Sequence, residues 1–498
     1  MKYIIFKIFL ITSILYHSEL YSKTVDSKDF NHRYLSNYFS ALVSFDNNNN
    51  KEALKYFNFS KKLLNEHEKF LKEYVFSLVE DDQVSKAIKQ IKYSKNNNNS
   101  NFFEASLLMA IDSYKEKNYL DALKYISEME SFQNNGTYEY IIYETLKSYT
   151  NLFINKRLNE KTEKFGKLSL ITIAFQNCYL NNDKTGTYFE NLINVPGGEY
   201  SRYLFFYLSN IIENKNYNKA KYFVSEIDTL SSSLIISQAK NWIDESNYKV
   251  FNNFFSCKSE NDILAEFFFL IGNLYSSQED YVKSNFYVNI SNYLNPKFYF
   301  NLSLLAENYF LNNNYDLAKK VLNEFNFNNE IYGWYKTRRI AQIIKEKNNT
   351  KSFFQYIENK FKKIENPSAK MFFDMATIYK NNKKYKKAIV YYDEVLKKID
   401  QNSEGYADTL YRRGGSYERI GNFKMADSDL LKSLDIVPED PYVLNYLAYS
   451  WLERNYKIDE AIDMLKRAYK QKKNDPYIID SIGWAYFLIG DYIEAENY

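Results

Sequence analysis

Small residues return in this chain at a nearly fixed interval, and an interval of that length decides the architecture before any local propensity does. Ala388, Ala426, Ala461 and Ala495 close four short signatures: Tyr385-Lys386-Lys387-Ala388, Phe423-Lys424-Met425-Ala426, Ile458-Asp459-Glu460-Ala461 and Tyr492-Ile493-Glu494-Ala495. Their spacings are 38, 35 and 34 residues. A second signature precedes each one, at Phe372 to Tyr379, Leu410 to Tyr417, Leu444 to Trp451 and Ile479 to Tyr486. In each, an apolar residue is followed four positions later by a small one (Ala376, Gly414, Ala448, Gly483) and three beyond that by an aromatic. Towards the N-terminus the mark recurs at Ala318, Ser284, Ala220, Ala122, Ala87 and Ala53. Copies near residues 156, 186, 251 and 352 are poor matches, so about fourteen copies are expected, about ten of them clear.

The residue types have a packing reason. Where two antiparallel helices touch, Gly414 or Ala376 of the first is expected to face Ala426 or Ala388 of the second, because a large side chain there would force them apart. All six prolines (Pro196, Pro296, Pro367, Pro438, Pro441, Pro476) fall between copies, where the missing N–H does no harm. Gly421 and Gly490 suit the turn between the helices of a copy. The Asn runs at Asn47 to Asn50 and Asn96 to Asn99 are expected to be loops, because Asn competes with the helical backbone for hydrogen bonds.

The period and the Ala, Gly and aromatic positions resemble the tetratricopeptide repeat family. The resemblance implies an all-α, right-handed superhelical solenoid of antiparallel helix pairs. Residues 30–365 would form degenerate copies and 366–498 well-matched ones, with Ala376, Ala388, Gly414, Ala426, Ala448, Ala461, Gly483 and Ala495 at the packing positions. The last copy stops at Tyr498, short of a complete second helix, which suggests a truncated chain. In the family, the second, fifth, ninth and twelfth positions of each copy line the groove. The matching residues are Lys370, Phe373, Thr377 and Lys380; Asp408, Tyr411, Gly415 and Glu418; Tyr442, Asn445, Tyr449 and Leu452; and Tyr477, Asp480, Trp484 and Phe487. Of these, Phe373, Tyr411, Tyr442, Asn445, Tyr449, Tyr477, Asp480 and Trp484 are the candidate contacts for a peptide or partner helix, since aromatics offer much contact area at low entropic cost.

The first 22 residues read as a signal peptide: Lys2 and Lys7, then the short apolar run Ile8 to Leu15, then a polar stretch ending at Ser22. The run is too short to span a bilayer, which takes about 20 residues. Export to the periplasm or an outer-membrane-associated site is therefore expected. Without that segment 63 basic and 61 acidic residues remain, a balance that argues against nucleic acid as the partner. Cys178 and Cys257 fall two copies apart in this register, and they are expected to be too distant to pair.

Catalysis has little to draw on. His17, His32 and His67 are the only histidines, and no Walker-type loop, dinucleotide fingerprint or zinc-spaced Cys cluster is present. The carboxylate pairs Asp459 with Glu460 and Asp491 with Glu494 sit where helix starts are expected, the ordinary place for acidic residues. The expectation is a non-catalytic scaffold without metal or cofactor, part of an envelope complex. The alternative is the substrate-binding repeat region of a larger enzyme, for example a glycosyltransferase with its catalytic domain beyond residue 498.

Overall fold

The computed structural model describes residues 32–65, 67, 69–94, 100–132, 134, 136–158, 165–194, 202–225, 227–325, 330–347 and 349–498. The signal-peptide segment, the second Asn run and Pro196 lie outside them. The described residues form α-helices joined by short turns and 3-10 segments, with no strand among them. Two compact units result: residues up to Thr150 together with Asn285–Tyr293, and Asn151–Ser284 together with Leu294–Tyr498.

The helices come in antiparallel pairs, thirteen among the described residues, and in twelve of them the turn inside the pair has one recurring construction. One residue adopts positive φ where the first helix ends, namely Asn48, Asp82, Lys117, Asn181, Lys215, Ser246, Glu279, Asn313, Lys383, Gly421, Asn455 or Gly490, and in the Asn455 turn Lys457 does so as well. The amide one position further on bonds back five residues, as in Asn49 N to Ser44 O, Asn314 N to Tyr309 O, Asn422 N to Tyr417 O and Asp491 N to Tyr486 O. This satisfies carbonyls that the helix end leaves open. The same residue then caps the second helix: the side chains of Asn49, Asn118, Asn314, Asn422 and Asp491 each accept the amide three residues ahead. The heavy use of Asn follows, since Asn tolerates left-handed backbone and is a good N-cap.

This corrects the reading of the first Asn run. Asn47 and Asn48 do turn, but Asn49 caps a helix and Asn50 begins it, buried, with Nδ2 donating to Ser77 O at 2.8 Å. An Asn whose side chain is satisfied by a neighbouring helix no longer competes with its own backbone.

Ala53, Ala87, Ala122, Ala220, Ser284, Ala318, Ala388, Ala426 and Ala461 all have 0% exposure, each in the first turn or so of its second helix. Ala376, Gly414 and Ala448 are buried in the first helices, and Gly483 and Ala495 are half-buried. The five described prolines lie between pairs or open a helix, as Pro441 and Pro476 do. Two of the poor copies carry a phenylalanine at the small position. Phe251 is buried against Phe205 and Trp242, and Phe353 against Phe354. Gly186 holds the position in a third. Near residue 156 there is no pair: helix Tyr138–Asn155 is followed directly by Lys167–Tyr179, with no helix between them among the described residues.

The cysteines pair, contrary to the sequence expectation. Cys178 and Cys257 form a disulfide across 79 residues, with Cα atoms 5.6 Å apart. Counting copies misjudged the distance because helix Lys249–Phe254 has only six residues. The chain leaves it extended at Phe255, whose carbonyl accepts Ser209 Oγ at 3.1 Å, and whose ring lies against Phe206 and Phe175. The loop thus returns across helix Arg202–Glu213 to reach helix Lys167–Tyr179, where Tyr179 Oη also donates to Glu260 at 2.7 Å.

The middle copies converge on buried rings. Phe205, Phe206, Phe251, Phe255, Phe298, Phe300 and Tyr332 are each at most 3% exposed. Among them the Arg202 guanidinium donates twice to Glu266 at 2.8 Å and lies 4.0 Å from the Phe269 ring centre. Such a pair is sustained in apolar surroundings only by complete hydrogen bonding, and Asn301 Oδ1 accepts a further guanidinium N–H at 2.5 Å.

Candidate partner-binding groove

In the well-matched copies the first helices Ala369–Asn381, Glu404–Arg419, Pro441–Glu453 and Pro476–Leu488 follow one another at intervals set by the turn construction above. Their buried sides belong to two apolar clusters. Trp334, Met375, Ala376, Ala388 and Tyr392 belong to one cluster, and Leu447, Ala448, Ala461, Leu465, Ile478, Ile482 and Ala485 to the next. Ion pairs fix neighbouring helices: Arg413 donates to both oxygens of Asp429 at 2.7 Å and to Asp393 at 2.6 Å, and Arg454 reaches Asp427 at 2.7 Å. Burial raises the Asp429 carboxyl and Arg413 opposes that shift.

The candidate contact residues separate into two sets. Phe373 and Tyr411 are half-buried. Phe373 packs edge-on to Tyr392 with the Arg412 guanidinium 5.3 Å from its ring centre, and Tyr411 packs edge-on to Tyr446 at 5.7 Å. The other set is open: Tyr442 is 49% exposed, Tyr449 40%, Tyr477 79% and Trp484 37%, with Phe487 stacked on Trp484 at 5.4 Å. Asp480 is exposed beside them. Leu452, a groove position by resemblance, is instead buried in the core.

Glu453 links Tyr449 and Trp484 of the open set, and nothing in the repeat pattern marks it because it lies one residue beyond the twelfth position of its copy. Trp484 Nε1 donates to Glu453 Oε1 at 3.0 Å, and Tyr449 feels both Glu453 and Asp480, which add to burial in raising its phenol. Asn445 Oδ1 is buried with no hydrogen-bond partner among the described residues, so it lies beneath the open rings and not on the surface with them. Aromatic faces with two carboxylates among them suit a guest that pairs apolar groups with a Lys or Arg.

Further along the same helices, Asp374 gathers three donors: Trp334 Nε1 at 3.0 Å, Arg338 at 3.3 Å and Lys370 at 3.8 Å. A cavity of about 400 Å³ adjoins this cluster, lined by Tyr335, Arg338, Arg339, Lys345 and Asn381 among others. Among the described residues no group of three or more His, Cys, Asp or Glu is placed to hold a metal ion, and no helix is long and apolar enough to cross a membrane.

Residues 369–397 match the family model described as the tetratricopeptide repeat. A tetratricopeptide repeat-containing protein of Pseudomonas aeruginosa is 29% identical over 118 residues, which are 24% of this chain and 19% of that one. The chain thus spans about a fifth of that relative's length. Among solved structures, the Cut9–Hcn1 hetero-tetramer of the APC/C is similar at a TM-score of 0.35 and 14% identity, covering 91% of this chain and 90% of the other. Yeast Tom70 is similar at 0.33 and 14%, covering 92% and 96%.

Proposed function

We propose, from the premise that this chain is a member of the tetratricopeptide repeat family, that it is a non-catalytic scaffold whose open first-helix face from Tyr442 to Phe487 holds a peptide or partner helix. One observation carries the reading. Tyr442, Tyr449, Tyr477 and Trp484 stay exposed on the first helices Pro441–Glu453 and Pro476–Leu488, whose other sides are buried in the core through Leu444, Leu447, Ala448, Ile478, Ile482 and Ala485. Exposed rings gathered on one face, with the Glu453 and Asp480 carboxylates among them, form a surface that gains by being covered.

The test is a displayed peptide library panned on the full chain and on a variant with Tyr449→Ala and Trp484→Ala, with thermal melting of both. Selective peptides retained by the parent and lost by an equally stable variant are expected. Equal retention by both, or a variant that loses stability in parallel with binding, would refute the reading.

Export to the periplasm or cell envelope is part of the same proposal. The basic and apolar opening segment supports it, and so does the disulfide, since buried cystines persist in oxidising compartments and are rare elsewhere. Fractionation of the full-length protein beside one lacking residues 2–22 checks it. Cytoplasmic retention of both would count against export.

A further inference from the structure

The connector at 227–233 leaves its own helix pair and lies against helices that come about 140 residues later in the chain. Lys370 Nζ donates to Leu230 O at 2.5 Å. Leu230 is 4% exposed although it belongs to a turn between helices. The seat is cut to fit, because a Cβ built on Gly405 would stand 3.0 Å from Asp228 Oδ1 and 3.2 Å from Leu230 Cδ1. Gly405 has helical backbone, so its lack of a side chain serves the approach of the connector and no special φ.

The connector is internally complete. Asp228 Oδ1 accepts Leu230 N at 2.9 Å, Asp228 Oδ2 accepts Ser231 Oγ at 2.9 Å, and Asp228 O accepts Ser232 N at 3.1 Å. A turn that satisfies itself this way offers its surroundings three groups: one main-chain carbonyl, one carboxylate and one leucine side chain. The receiving helices supply the complements, namely the Lys370 ammonium, which meets the carbonyl and also attracts the Asp228 carboxylate, and the Gly405 hollow, which admits the Asp228 and Leu230 side chains. Lys370 and Arg338 are both held in place by the buried Asp374.

We infer that Lys370 and Gly405 form a distinct peptide subsite for an Asp-x-Leu turn, and that the connector is its tethered occupant. This deepens the proposal of a peptide-holding face and rests on it: the open stretch from Tyr442 onward takes the external guest, and the upstream end is filled in cis. One charge-assisted hydrogen bond and one apolar seat make a weak contact, kept occupied because tethering raises the local concentration of the turn to roughly the millimolar range. An external segment of the same pattern enters when the tether is absent.

The experiment uses the full chain with residues 227–233 replaced by a Gly-Ser linker of equal length, and a fluorescein-labelled synthetic peptide of residues 227–233 as the probe in anisotropy titrations. The linker chain is expected to bind the peptide saturably, with the native chain at least about tenfold weaker because its seat is taken. Lys370→Met in the linker chain should remove that binding. Equal binding by native and linker chains, or none by a linker chain of native helicity, overturns the inference. Should the linker chain fail to fold, hydrogen exchange decides on the native sequence. Amides of 227–233 should exchange about tenfold faster in Lys370→Met than in the parent, and unchanged exchange overturns the subsite. Library peptides that depend on Tyr449 and Trp484 but are indifferent to Lys370 would leave the open face standing when the subsite falls.

Discussion

Gly414 offers the sharpest perturbation, because the sign of the effect follows from three distances. A Cβ at this position would meet Leu430 Cγ at 3.0 Å, Asp429 Cβ at 3.2 Å and the Ala426 carbonyl at 3.3 Å. None can yield cheaply. Leu430 is fully buried, Asp429 is clamped by the Arg413 guanidinium, and the carbonyl belongs to the paired helix. Replacing a helical glycine with alanine ordinarily gains up to about 1 kcal/mol, and overpacking a filled core costs about 1–3 kcal/mol. Gly414→Ala should therefore be destabilising by about 0–2 kcal/mol, and Gly414→Leu by about 3 kcal/mol or more, as three further carbons enter the same space. Gly483 occupies the equivalent position of the last copy and supplies the control. Its nearest neighbours would be Tyr498 Cβ at 3.4 Å and the Ala495 carbonyl at 3.5 Å, ordinary contact distances. Gly483→Ala should then be neutral or stabilising by up to about 1 kcal/mol. Urea unfolding followed by tryptophan fluorescence, with hydrogen exchange over 404–436 for Gly414 and over 476–496 for Gly483 to localise the change, reads both variants. Repeat arrays unfold by neighbouring units, so the local measurement matters more than a single midpoint. Opposite signs at two equivalent glycines are the signature of the packing argument. A stable Gly414→Ala beside a destabilised Gly483→Ala would refute it.

Removing the disulfide by Cys178→Ser with Cys257→Ser should lower stability by about 2–4 kcal/mol, towards the upper end for so long a closed loop, as judged by urea midpoints with and without reductant. Arg202→Met should cost about 3–5 kcal/mol by leaving Glu266 charged and alone among aromatic rings, whereas replacing both partners with apolar residues should recover much of that in the same melts. Burial pushes the Glu80 carboxyl up to about 7, with the Asn285 side chain pulling the other way. A raised carboxyl favours the folded chain while protonated. Stability of the unit containing Glu80 should therefore fall as pH rises from about 4.5 to about 7, by up to about 3 kcal/mol, and Glu80→Gln should flatten that dependence in melts across the range.

What could be read directly were features governed by local sterics repeated many times. A small residue where helices cross, proline where one copy ends, and glycine at Gly421 and Gly490 each answer a constraint that acts within one copy, so the period carries the fold class without coordinates. The internal turn was half legible. Glycine signalled it, but in most copies Asn, Asp, Lys, Ser or Glu takes the left-handed position, a substitution made possible by the back-bonded amide and the capping side chain that follow.

The candidate groove residues were found by copying a pattern, and the pattern holds no record of depth. Tyr477 and Leu452 occupy equally plausible positions, yet one lies 79% exposed and the other 2% exposed, because the neighbouring copies close over Leu452 and leave Tyr477 uncovered. Contacts between residues far apart in the chain were beyond the sequence for the same reason. Cys178 meets Cys257, and Lys370 meets Leu230, only because a six-residue helix and a short connector bend the path of the stack. Repetition along the chain determines which helices pair with their neighbours. Which distant residues come together depends on the summed curvature of the copies between them, and that sum exists only in three dimensions.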